Sequence, residues 1–228
     1  MEEPLNTWSA NHSPEPLAAH APSRARGEDL QLNRPGLYGG LAPDTLQVVY
    51  LGVSGVLHPS ASLYELIEGR SPWDDGHRPY EAVPVLERAL RAWPQARIVL
   101  TSTQPWAKGL PTVLEALGPS LASRVLGYTY EDLTTRLQRG PRQHPLSNQD
   151  YWRLNKSDIV RLHAQWLRPA AWLAVDDDTI LWTTDESRHH LVAVDGCKGL
   201  LDPAAQDRLL TVLTGQFGLG SGTADSQT

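Results

Sequence analysis

The stretch that decides the fold is Gln47-Val48-Val49-Tyr50-Leu51-Gly52-Val53-Ser54-Gly55-Val56-Leu57-His58-Pro59. A short apolar run with β-branched residues breaks abruptly into a Gly/Ser turn, the pattern of a buried strand that delivers a loop to one end of a parallel sheet. Outward from it, strand-like and helix-like segments alternate. Residues 80–92 read as a helix with Val83, Leu86, Leu90 and Trp93 on one face, stopped by Trp93-Pro94. Residues 97–100 follow as a strand, 110–117 as a helix ended by Gly118-Pro119, and 124–126 as a short strand. Asn155 caps a predicted helix over 156–167 that stops at Pro169. The last elements are strands at 171–175 and 191–194 and a helix at 203–213, with Asp202 as its cap and Pro203 in its first turn. Repetition of this order predicts an α/β fold, a doubly wound and mainly parallel sheet with helices on both faces. In such sheets ligands sit beyond the carboxyl ends of the strands.

Length and composition narrow the function. At 228 residues the chain holds one α/β domain, expected over 44–214. Residues 1–43, rich in Pro, Ala, Ser and charge, are expected to form a disordered or strap-like arm, and 215–228 a flexible tail. The formal net charge of −6 repels a polyanion, so nucleic acid is not expected unless a local basic patch serves it. The one such segment is Arg136, Arg139, Arg142, His144 and Arg153, for which a solvated loop is the plainer account. A single cysteine, Cys197, excludes an internal disulfide. With neither a signal-peptide pattern nor a long apolar run, the expected location is the cytoplasm, away from membranes.

Polar clusters fall at the predicted strand ends. Thr101, Ser102 and Thr103 follow the second strand, with Thr101 the first hydroxyl. Hydroxyls satisfy turn backbone without any ligand. Lys156 opens a helix, where free N–H groups favour an anion although a cation opposes the helix dipole. Asp176, Asp177 and Asp178 follow an apolar strand; three adjacent carboxylates call for a cation, or else make a plain acidic turn. His58 reads as a hydrogen-bonding turn residue, His189-His190 as an exposed turn, and Trp93, Trp166 and Trp172 as packing residues.

In order and spacing these motifs resemble the haloacid dehalogenase (HAD)-like superfamily, most closely a small bacterial capless branch whose first strand ends in Asp-x-Asp-Gly-Val-Leu-His-Pro. Val125-Leu126-Gly127-Tyr128-Thr129 and Gly199-Leu200 agree with that branch as well. The resemblance implies a Rossmannoid sheet with a minimal cap, since the insertion at 58–79 is too short for a cap domain. It places Gly52 at the position of the nucleophile and Ser54 at that of the general acid/base. It assigns phosphate binding to Thr101, Ser102 and Lys156, and Mg²⁺ binding to Asp177 first, then Asp176 and Asp178. Glycine has no group with which to attack phosphorus, and Mg²⁺ binding is weakened by loss of that aspartate. The expected function is therefore a pseudo-phosphatase that binds phosphate or another ligand, its open mouth suited to a protein or an extended phosphorylated ligand. Two alternatives stand beside it: an Mg²⁺-dependent phosphohydrolase with a nucleophile relocated to Asp176–Asp178, and a structural domain with a vestigial pocket.

Overall fold

Five parallel strands, β1 (Gln47–Leu51), β2 (Arg97–Leu100), β3 (Val125–Tyr128), β4 (Ala171–Asp176) and β5 (Leu191–Ala193), form one sheet in the order β3-β2-β1-β4-β5. The order reverses direction at β1, so the crevice beside its carboxyl end is where a doubly wound sheet receives a ligand. The computed structural model describes residues 45–129 and 153–218. The expected arm at 1–43 and the basic residues Arg136, Arg139, Arg142 and His144 lie outside them.

Alternation along the strands builds two cores. Val49, Leu51, Ile98, Leu100, Leu173 and Val175 face one side. Against them pack helices α2 (Val83–Ala89), α4 (Leu110–Ala122) and α7 (Pro203–Phe217), through Leu86, Val113, Leu117, Leu209 and Leu213. Val48, Tyr50, Val99 and Ala174 face the other side, against Val160, Ala164 and Leu167 of α5 (Lys156–Leu167). The strands thus read as nearly continuous apolar runs because both faces are covered. Tyr50 is fully buried, and its hydroxyl meets His163 Nδ1 at 3.0 Å. Short helices α1 (Ala61–Glu68), α3 (Gln104–Lys108) and α6 (Asp185–His189) lie in the loops that leave β1, β2 and β4. Among the described residues no helix is long and apolar enough to cross a membrane.

Several boundaries differ from expectation. The helix expected from residue 80 starts at Val83, because Tyr80 takes a left-handed φ of 61° that a helix cannot include. The insertion at 58–79 carries α1, closed by Gly69 at φ 69°. The stop expected at Gly118-Pro119 stands, since Gly118 leaves helical geometry at φ 72°, ψ 163°, and a second helical stretch then continues α4 to Ala122. The closing helix runs through Gly215 to Phe217, because Phe217 is buried against the core and Trp93 Nε1 donates to Gly218 O at 2.8 Å. Trp172 packs as expected of a sheet residue, stacked on His190 with ring centroids 4.0 Å apart.

Candidate functional site

At the carboxyl edge the strand ladders continue one residue beyond the strands. Thr129 N donates to Leu100 O, Thr101 N to Leu51 O and Gly52 N to Val175 O, each at 2.9 Å. This puts Thr129, Thr101, Gly52 and Asp176 in one row across β3, β2, β1 and β4. Parity turns the row toward the α5 side of the sheet, one step beyond Leu100, Leu51 and Val175 on the other side.

Gly52 makes the centre of this row possible. Thr101 and Asp176 sit on strands separated by β1, yet Thr101 Oγ1 donates to Asp176 Oδ2 at 3.1 Å. A Cβ on Gly52 would stand 3.0 Å from that oxygen and 2.8 Å from Val56 Cγ2. The two side chains therefore meet across space that any larger residue at position 52 would contest. Lys156, first residue of α5, reaches down from above: its Nζ donates to Thr101 O at 2.9 Å and lies 3.5 Å from Asp176 Oδ2. The second oxygen of Asp176 accepts from Asp178 N at 3.1 Å, and the residue is 2% exposed. Buried charge of this kind persists only when paired and hydrogen-bonded, as it is here. Asn155 holds Lys156 in place by capping α5, its side chain accepting from Asp158 N at 2.9 Å.

The three acids diverge. Asp176 turns into the row, whereas Asp177, expected as the leading ligand, turns toward the loops, where added Cβ atoms on Gly55 or Gly196 would collide with its carboxylate. Burial, and then the charge of Asp176, push the Asp177 pKa from 3.8 up to about 6. Asp178 is exposed.

Ser54 and Ser102 lie apart from the row. Ser54 is exposed, and its Oγ accepts from Gln104 Nε2 at 2.9 Å. Gln104 Oε1 in turn accepts from Tyr80 Oη at 2.7 Å, while Tyr80 N donates to His58 Nδ1 at 3.2 Å. That bond makes Nδ1 of the neutral ring an acceptor, and burial followed by the charge of Lys108 lowers the His58 pKa from 6.5. Ser102 Oγ accepts from Gln104 N at 3.2 Å and so braces the start of α3. Gln104, Tyr80 and Thr129 are the participants that residue reading passed over. Only Thr129 left a signal, as the first hydroxyl after β3 just as Thr101 is after β2.

Lys156 brings a positive charge to this edge, whereas the Thr101 hydroxyl gives its proton to Asp176 and the N–H groups of Gly52, Gly55, Val56 and Leu57 are bonded to backbone carbonyls. Magnesium is less well served. Asp176 has its oxygens committed, and among the described residues no three His, Cys, Asp or Glu side chains gather to hold a metal ion.

No match is found among curated proteins or solved structures. A family model described as the HAD domain in Swiss Army Knife RNA repair proteins matches residues 48–205. That span contains β2 to β5, β1 from its second residue, the row at their carboxyl ends and Lys156, and the chain belongs to this family of HAD domains.

Proposed function

We propose that this HAD domain recognises a phosphorylated ligand without hydrolysing it. The observation that carries the reading is the cluster of Thr101, Lys156 and Asp176 assembled beside a glycine. Groups suited to an anion are present, while no side chain at position 52 can attack phosphorus. Asp176 is a poor substitute, because a nucleophile needs an accessible lone pair and this carboxylate is 2% exposed with both oxygens engaged. Ser54 is accessible, but a hydroxyl does not donate a proton efficiently near neutral pH. The family's description favours an RNA end as the ligand. Trp106, 51% exposed on α3, lies just beyond Thr101 in the chain.

The test combines turnover and binding. Purified protein with Mg²⁺ and a generic phosphomonoester should show no turnover above background. Fluorescence anisotropy should show a 5′-phosphorylated oligoribonucleotide binding about tenfold tighter than the same strand with a 5′-hydroxyl, the equivalent of about 1.4 kcal/mol for the phosphate contacts. Turnover that disappears in Asp176→Asn would establish a relocated nucleophile instead. Equal affinity for the two strands would leave a structural domain.

A further inference from the structure

Thr129 Oγ1 is the one buried side-chain polar atom among the described residues that has no hydrogen-bond partner. The residue is fully buried. Native proteins satisfy nearly all such groups, because a buried hydroxyl without a partner carries its desolvation cost uncompensated. Its position is informative. Thr129 stands in the row with Thr101, Gly52 and Asp176, on the side of the sheet that Lys156 covers. Thr101 gives its proton to Asp176, and Leu100 O is occupied by Thr129's own N–H, so the Thr129 hydroxyl has a proton and no nearby strand-end acceptor for it. Threonine side chains choose χ1 within narrow limits, so this hydroxyl cannot swing freely to water.

We infer that Thr129 is a ligand-binding residue of the same site, donating to an oxygen of a phosphate bound at the carboxyl ends of β2 and β3. The inference rests on the phosphate-binding reading above and adds a residue and a location to it. Lys156 Nζ, 2.9 Å from Thr101 O and 3.5 Å from Asp176 Oδ2, supplies the positive charge on the β1 side of that phosphate. That charge matters because a carboxylate and a phosphate repel when adjacent. It also assigns selectivity: an anion too small to span from Lys156 to Thr129 loses one of its donors.

Isothermal titration with inorganic phosphate tests it on the full chain. Thr129→Val keeps the shape and removes the hydroxyl, and should weaken phosphate binding about tenfold, while Thr129→Ser should stay within about twofold of the parent. The unliganded melting temperature of Thr129→Val should equal or exceed that of the parent, since an unsatisfied polar group leaves the interior. Unchanged phosphate affinity in Thr129→Val with intact binding by the parent would overturn the inference and spare the broader reading. A parent that binds no phosphate would overturn both. Should the valine variant not fold, Thr129→Ala against Thr129→Ser gives the same contrast: equal affinities refute the role of the hydroxyl.

Discussion

Asp177 holds its charge against its surroundings. The unfolded chain keeps such a carboxyl near 3.8, whereas the folded protein raises it to about 6. Between those values the folded state binds more protons, so this group makes stability fall as pH rises through the window from 3.8 to 6. Above it the cost stands in full, on the order of 2 kcal/mol after allowing for partial exposure. Asp177→Asn should therefore raise the melting temperature at pH 7, and its advantage should shrink steadily as the pH is taken down toward 4. A gain that does not vary with pH would contradict the assignment. The same residue marks a limit of sequence reading. Thr101 and Lys156 were legible because each is the first polar group at an element's end. Which acid turns inward depends on parity at the strand's last residue, and β4 ends at Asp176 rather than at 175. One residue of difference exchanges the two faces.

At the scale of elements, helix α5 was legible to the residue because both ends carry chemistry. Asn155 caps the start, and Arg168 adopts a left-handed φ of 52° just before Pro169. Helix α1 was not legible, since it buries none of its residues and leaves no core periodicity. Its only trace is the bracket of Ser60 and Gly69. The cap on α5 does more than end a helix, because Lys156 is the next residue and its reach to Thr101 and Asp176 depends on where the first turn sits. Asn155→Ala should cost about 1 kcal/mol in urea denaturation, with Asn155→Ser close to the parent. The alanine variant should also weaken phosphate binding more than its stability loss alone explains, by severalfold. A stability loss with unchanged phosphate affinity would show that Lys156 is held by its ion pair and not by the cap.

For the molecule as a whole, charge and apolar surface bear on how the proposed RNA ligand would be held. Acidic residues outnumber Lys and Arg by 26 to 20, so no long-range attraction gathers a polyanion. The carboxyl edge instead exposes apolar side chains: Leu66, Ile67 and Trp73 after β1, Trp106 after β2, and Ile180 and Leu181 after β4. Contacts of that type are indifferent to salt, whereas each phosphate neutralised by a cation releases counterions and makes binding salt-dependent. If one terminal phosphate is held at Lys156 and the rest of the strand rests on aromatic and apolar faces, few counterions are released. A plot of log affinity against log salt for a 5′-phosphorylated oligoribonucleotide should then have a slope of about −1, corresponding to one or two phosphates at about −0.7 each for a single strand. A slope steeper than about −3 would require four or more phosphate contacts, and the end-recognition picture would give way to a basic channel along the strand. Lys156→Met provides the internal control. It should flatten the slope toward zero while leaving weak, salt-insensitive binding behind, because the apolar rim remains when the cation is gone.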